Sequence, residues 1–198
     1  MITDVSYYVG SRFIPNIYQE SGTGLAAQTI NNNDALLLTI AEYEINFLSD
    51  AFGFYESKII LDQFETDGTV KVSADQKYKD LIDGNDSLKW RGLRYEIAGV
   101  KQSMVADFVY ANYVRETETR LTQLGNTVDQ AEKAQIISST NKYVQAWRRM
   151  YELRESREYY HFMYLSIDEV TLYKFISDNA GFTTEYFKFY ENLNSLGI

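Results

Sequence analysis

The most constraining feature of this sequence is a stretch at residues 104–114, MVADFVYANYV, in which only Asp107 and Asn112 interrupt the apolar residues. A helix on the surface of a globular protein needs one apolar stripe, with polar residues on its opposite face. In this stretch, apolar side chains would point in every direction around a helix. The sequence therefore predicts a helix that is buried on all sides, either within one subunit or between copies of the chain.

Caps, glycines and apolar spacing predict further helices before this stretch. Thr39 and Glu42 have the spacing of a capping box, and the apolar stripe that follows would end at Gly53. A second helix is expected at residues 54–64. A short helix that begins with another capping box is expected to end at Gly84.

Two long helices form the basis of the predicted fold, at about residues 100–118 and 141–165. Two shorter helices are expected near the end of the chain, one after a capping box at Ser166 and one capped by Thr183. Residues 121–128 are expected to form a loop. The predicted class is mainly α, a helical bundle with short flanking helices and an extended N-terminal arm.

The chain is expected to divide into three parts, because the periodic pattern is confined to its middle. Residues 1–33 lack a clean period and predict the arm, residues 34–165 predict the helical core, and residues 166–198 predict a C-terminal helical extension. Strand signals are weak, and residues 69–72 and 93–97 are the candidates.

Residue usage argues against most catalytic and metal sites. The chain has no cysteine and one histidine, His161, whereas zinc and iron sites usually need several imidazoles or thiolates. No serine has the surroundings of a nucleophile, and no glycine-rich loop has the spacing that holds phosphate. The sequence DGND at residues 83–86 lacks the remaining ligands of a calcium loop and predicts a turn. We therefore expect no catalytic, cofactor-binding or metal-binding residues.

Charge distribution limits the possible partners. The net charge of −9 argues against a protein whose main task is to bind nucleic-acid phosphates. Glutamates alternate with four arginines on the second long helix, which favours a solvated, salt-bridged face or a seam between subunits over DNA contact. The less favoured alternative is an enzyme that acts on nucleic acid through Glu152 or Glu155, which would need a polar cleft around them. The four arginines are Arg148, Arg149, Arg154 and Arg157.

The location of the protein is constrained by the same residues. The absence of cysteine suits assembly in a reducing cytoplasm. The first ten residues lack the features of a signal peptide, and the longest apolar run, residues 35–41, is too short to span a membrane. We therefore expect no membrane association.

Short motifs follow one another along residues 39–151 in the order EYEINFLSDAFGFY, LIDG, KWRGL, FVYANYVRE, QLG and K…QAW. This order resembles the head–tail connector (adaptor) proteins of tailed bacteriophages, especially the ring proteins of crAss-like and other Bacteroides phages. Two departures stand out. Trp147 is followed by Arg148 where the family often has Asn, and the chain continues through residues 166–198 where relatives often end.

The resemblance implies a non-enzymatic virion structural protein, assembled in the host cytoplasm, which forms a dodecameric ring below the portal protein. DNA would pass through the central channel without specific binding, and no cofactor is implied. Its partners would be copies of itself, the portal, and adjacent connector or tail proteins. The residues expected in the core or at the subunit interface are Trp90, Met104, Val105, Phe108, Val109, Tyr110, Tyr113 and Trp147.

Two questions stay open from the sequence. The side of the central helix that carries Tyr110 and Tyr113 is expected to face a neighbouring subunit, and the opposite side to face the subunit's own core. The alternative function is that of a soluble α-helical adaptor or regulator, which binds another protein outside any particle.

Overall fold

The computed structural model describes residues 1–14, 26–122, 125–128, 139–155, 169–178 and 181–190. These residues are mainly helical, which confirms the predicted class. Short 3-10 turns occur at Val5–Tyr7, Gly10–Arg12 and Asp86–Leu88. The helices and strands, in chain order, are α1 (Ala26–Phe52), α2 (Phe54–Leu61), α3 (Gln76–Asp83), β1 (Arg94–Ile97), β2 (Val100–Ser103), α4 (Met104–Glu118), β3 (Thr119–Thr122), β4 (Gly125–Val128), α5 (Ser139–Glu155) and α6 (Leu172–Asp178).

Helix α4 is enclosed by the subunit to which it belongs. Every residue from 104 to 112 is buried, including the polar Asp107 and Asn112. Helices α1 and α5 pack against it, and the Phe108 ring contacts Phe47 of α1 and Trp147 of α5, with centroids 5.5 and 6.2 Å apart. The prediction of a helix buried on all sides is confirmed over these residues, and the burial requires no second copy.

The start of α4 differs from the prediction because residues 100–103 form a strand. β2 pairs antiparallel with β1, and the two-residue turn between them consists of Ala98 and Gly99, whose φ angles of 51° and 78° are both left-handed. The Ser103 hydroxyl accepts hydrogen bonds from the amides of Val105 and Ala106, so the strand leads directly into a capped helix. The candidate strand at 93–97 is therefore confirmed as β1.

Helix α1 begins earlier than predicted. The capping box placed its start at Thr39, whereas the helix begins at Ala26 and runs for 27 residues. The buried side chains at Leu36, Ile40 and Phe47 belong to one stripe that extends past Thr39 in both directions. Continuous burial of that stripe outweighs the local capping signal. α1 is longer than α4, with 15 residues, and than the described part of α5, with 17 residues, so the expected basis of two long helices is not confirmed.

The N-terminal segment is part of the subunit's core. Residues 26–33, which were assigned to an extended arm, are helical, and residues 1–14 fold into two 3-10 turns. Ile2, Tyr8 and Ile14 are buried in the same cluster as α4. These large side chains therefore pack on their own subunit and not on a neighbouring copy.

Within residues 169–178 and 181–190, the described C-terminal part of the chain, one helix is present where two were expected. α6 begins at Leu172, where the Thr171 hydroxyl accepts from the Lys174 amide, and not after Ser166. Residues 181–190, which we call the C-terminal strap, form turns and extended backbone. The helix expected after Thr183 does not form in the strap. The apolar side chains of the strap instead make separate contacts with the bundle.

Three further expectations concern short segments. α2 ends at Leu61, close to the predicted end, and residues 69–72 contribute one bridge, between Val70 and Phe64, in place of a strand. The predicted loop at 121–128 contains paired strands, β3 and β4. His161, Arg157 and the second long helix beyond residue 155 lie outside the described residues.

Candidate interaction surface

The eight residues predicted for the core or the subunit interface all lie in the subunit's own core. Six are buried, and Tyr113 and Trp147 are half-buried against the same cluster. Tyr110 is only 2% exposed within one subunit, so its side chain has no free surface to offer a neighbour. The six buried residues are Trp90, Met104, Val105, Phe108, Val109 and Tyr110.

Asp107, at the centre of α4, is held by two arginines from different parts of the chain. Arg12 Nη1 lies 3.1 Å from its Oδ1 atom, and Arg149 Nη2 lies 2.7 Å from the same atom. Arg12 also donates to the backbone carbonyls of Tyr7 and Lys101. This ion triad joins the N-terminal segment, α4 and α5. Asp107 and Arg12 are buried and Arg149 is partly buried, although a solvated, salt-bridged face or a seam between subunits was expected for Arg149.

A second buried charge cluster holds the C-terminal strap. Arg154 is 0% exposed and Glu155 is 1% exposed, and they contact each other at 3.2 Å. Arg154 donates to the carbonyls of Lys188 and Asp50, while Glu155 Oε1 accepts from the Tyr190 amide at 2.8 Å. The two residues form an ion pair, as a salt-bridged face requires, but the expectation that this face is solvated is wrong for them, because the strap covers them.

Aromatic rings complete the cover over Arg154. Its guanidinium carbon lies 4.1 Å from the centroid of the Tyr190 ring and 4.3 Å from that of Phe187. The Tyr190 ring also stacks on Phe108 of α4, at 5.8 Å between centroids. Burial raises the pKa of the Tyr190 phenol, whose hydroxyl donates to Asp50 at 2.9 Å. These contacts indicate a structural role for Arg154 and Glu155, that of fixing the strap to α1, α4 and α5.

A third buried charge, Glu44 of α1, fixes the start of the chain. Its Oε2 atom accepts from the Ile2 amide, and its Oε1 atom accepts from the amide and the hydroxyl of Thr3. Burial raises the pKa of Glu44, and the Thr3 donors oppose that rise. The carboxylates of Asp107, Glu155 and Glu44 therefore each connect segments that lie far apart in the chain.

The most exposed aromatic residues lie together at the junction of α1, α2 and the strap. Tyr55 is 80% exposed, Phe54 61% and Tyr186 53%, and they line an open groove of about 540 Å³ with Phe52 and Phe182. We call it the aromatic groove. Exposed aromatic clusters of this kind mark protein–protein contact sites.

Local geometry explains how the groove forms. Gly53 has a φ of +83°, which lets α1 turn directly into α2 and places Phe54 and Tyr55 on the first turn of α2. The Tyr186 ring lies on Gly53 so closely that a Cβ atom there would be 2.9 Å from it. Lys77 of α3 fixes the other wall by donating to the Gly181 carbonyl at 3.0 Å. The sequence FGFY could have predicted this exposed surface, because neighbouring aromatic residues around a helix-ending glycine cannot all face one core.

A second apolar surface lies at the end of the β1–β2 hairpin. Ile97 and Val100 are 56% and 40% exposed, and Ala98 and Gly99 between them are also exposed. We call residues 97–100 the hairpin tip. Neither the groove nor the tip is among the surfaces predicted from the sequence, because apolar residues are assigned to a core by default.

A larger cavity, of about 680 Å³, lies between the N-terminal segment and β1 and has a mixed polar and apolar lining. Within it, Arg94 donates to Asp83 at 2.7 Å and to the Gly68 carbonyl at 2.7 Å. In the part of the chain that the structure describes, no group of three or more His, Cys, Asp or Glu residues has an arrangement that could hold a metal ion. The cavity therefore offers hydrogen-bonding groups but no metal centre among these residues.

None of the helices among the described residues combines the length and the apolar character needed to cross a membrane. No protein-family model matches this chain, and no curated protein or solved structure matches it.

Proposed function

We propose that this protein is a non-enzymatic structural subunit of a phage virion, and that it forms a head–tail connector ring below the portal. The observation that carries the proposal is the aromatic groove. Tyr55, Phe54 and Tyr186 keep more than half of their surface in solvent, although residues 104–112 of α4 are buried within the same subunit. Large exposed rings on a closed core are explained by a protein partner that covers them.

The order of short motifs along residues 39–151 supports the choice of a connector among protein-binding functions. Several of these motifs coincide with structural features: FGFY forms one wall of the groove, and KWRGL leads into β1. The connector's partners would be other copies of the chain, the portal, and adjacent connector or tail proteins.

Electrostatics is compatible with a channel through which DNA passes. The net charge of −9 repels phosphates, so a wall built from these subunits would not retain DNA. Several arginines are also withdrawn from solvent: Arg12, Arg149 and Arg154 point into the ion clusters of the core. The cations best suited to binding DNA are thus used to hold the subunit together.

The test is the assembly state of the purified full-length chain, measured by native mass spectrometry and negative-stain electron microscopy over a range of concentrations. We expect closed rings of uniform copy number, and peptides of the chain in purified virions of its phage. A protein that stays monomeric at every concentration and is absent from virions would refute the proposal.

The second candidate function is a soluble adaptor that binds another protein outside any particle. The closed core favours it, because residues 104–112 are buried without any neighbour and one subunit can therefore fold alone. An adaptor would form a stoichiometric complex between one copy of the chain and a protein that is not part of the virion. Tyr55→Ser would weaken that complex, and no ring would form.

A further inference from the structure

We infer that the aromatic groove of one copy receives the hairpin tip of a neighbouring copy, so that copies join head to tail. This inference rests on the proposed function and specifies the contact that builds the ring. A ring of identical subunits needs two different, complementary surfaces on each subunit, because a self-complementary surface closes a dimer. The groove and the tip are two such surfaces.

The positions of the two surfaces suit a head-to-tail contact. Helix α3 lies between them: Lys77 in its first turn contacts the groove through Gly181, and Asp83 at its end contacts Arg94 at the base of the hairpin. α3 has eight residues, about 12 Å of helix, and β1 adds about 10 Å from its base to the tip. Within one subunit three of the groove rings and all of the tip residues are exposed, so both surfaces are available to a different copy.

The conformation of the tip is unusual for a turn exposed to water. Both turn residues have left-handed φ angles, a geometry in which Asn-Gly or Asp-Gly is strongly preferred. This chain has Ala98 at the first position, where a Cβ atom is unfavourable and where a polar side chain would stabilise the turn. A locally unfavourable apolar residue at an exposed turn indicates a surface selected for contact.

The groove fits the tip in size and in charge. Its volume of about 540 Å³ accommodates a few side chains, which suits the four small or medium-sized residues of the tip. Lys58 extends over the Phe54 ring, 4.4 Å from its centroid, and places an ammonium group at the rim. Glu96, which is exposed beside the tip, supplies the carboxylate that would pair with it.

Cysteine cross-linking tests the contact directly, because the chain contains no cysteine of its own. The test variant carries Ala98→Cys in the tip and Tyr55→Cys in the groove. If the tip enters the groove, oxidation of the assembled protein gives a ladder of disulfide-linked oligomers on a non-reducing gel. A mixture of the two single variants gives dimers only, because each subunit then has one reactive surface.

The matched control replaces the groove cysteine by Val72→Cys, which is 92% exposed on a different loop. It should give no ladder under the same oxidation. A ladder of equal intensity from this control would show that cross-linking follows exposure alone, and the inference would be overturned.

A second measurement avoids covalent chemistry. Ala98→Asn favours the isolated turn but would bury an amide against aromatic rings in the contact. We expect normal folding by circular dichroism and an association weakened by roughly 10- to 100-fold. If the wild-type chain forms rings and neither the ladder nor this weakening occurs, the groove–tip contact is refuted while the connector function stands. If the wild-type chain forms no rings, the proposed function fails and this inference fails with it.

Discussion

Replacing Arg154 by methionine is expected to lower the free energy of unfolding by about 3–5 kcal/mol, because it leaves the Glu155 carboxylate buried without its cation. Methionine keeps the length and the apolar contacts of the arginine stem. What it removes is the charge, the donor to the Lys188 carbonyl at 2.7 Å, and the cation over the Tyr190 ring at 4.1 Å. The Asp50 carbonyl keeps a partner, since it also accepts from the Lys188 amide.

The expected loss can be separated into charge and packing with one more substitution. Glu155→Gln removes the negative charge but keeps an oxygen that can accept from the Tyr190 amide. The double variant Arg154→Met/Glu155→Gln therefore removes both charges of the pair. It should regain about 2 kcal/mol or more relative to Arg154→Met alone.

Urea unfolding followed by far-ultraviolet circular dichroism measures both effects. Tryptophan fluorescence adds a local signal, because the Trp147 ring lies 5.4 Å from the Tyr190 ring of the strap. Lys174→Met is the control: its ion pair with Asp178 is largely exposed and should cost less than about 0.5 kcal/mol. A loss below 1 kcal/mol for Arg154→Met, or strictly additive losses in the double variant, would refute the view that Arg154 exists to neutralise Glu155 and fix the strap.

Three further predictions concern other buried contacts. Gly84→Ala places a Cβ atom 2.7 Å from backbone atoms, whereas Gly68→Ala meets nothing within 4 Å, so thermal unfolding should show a clearly larger loss for Gly84→Ala although both φ angles are left-handed. Asp107→Asn leaves the buried Arg12 and the partly buried Arg149 without their carboxylate and should cost about 3–5 kcal/mol in urea unfolding. Because burial raises the pKa of Glu44, the stability that this group contributes is present below the ordinary value of 4.5 and is lost as pH rises through the folded-state pKa. The difference in unfolding free energy between the wild type and Glu44→Gln should therefore fall as pH rises above 4.5.

Each of these predictions has a clear contrary result. Equal losses for Gly84→Ala and Gly68→Ala would mean that the close backbone approach relaxes. An Asp107→Asn variant as stable as the wild type would show that Arg12 and Arg149 reach other acceptors. A stability difference for Glu44→Gln that does not change with pH would mean that Glu44 has an ordinary pKa in the folded protein.

Local signals in the sequence predicted several elements well. Gly53 and Gly84 end helices where expected, since a left-handed residue stops a helix whatever surrounds it. The start of α1 could not be predicted in this way. Thr39 has a capping pattern, but a threonine hydroxyl can also lie inside a helix when the apolar stripe on either side of it is buried.

The candidate surface was less predictable than the fold. Apolar residues are assigned to a core by default, so Tyr55 and Ile97 were not considered as surface residues. Their exposure depends on how much apolar surface the rest of the chain already supplies to the core. Charged residues are likewise assigned to the surface by default, so Arg154 and Glu155 were expected in solvent. They are buried under a strap that lies 34 residues or more further along the chain.

The sequence by itself determined that residues 104–114 form a helix with too little polar surface to face water, because the spacing of apolar residues is a local property. Only the tertiary structure decided what covers it: α1, α5 and the C-terminal strap of the same subunit. That choice depends on contacts between segments far apart in the chain, which no local pattern records. It also moved the candidate interface from Tyr110 of α4 to the aromatic groove, since a side chain already buried within one subunit cannot be buried again between two.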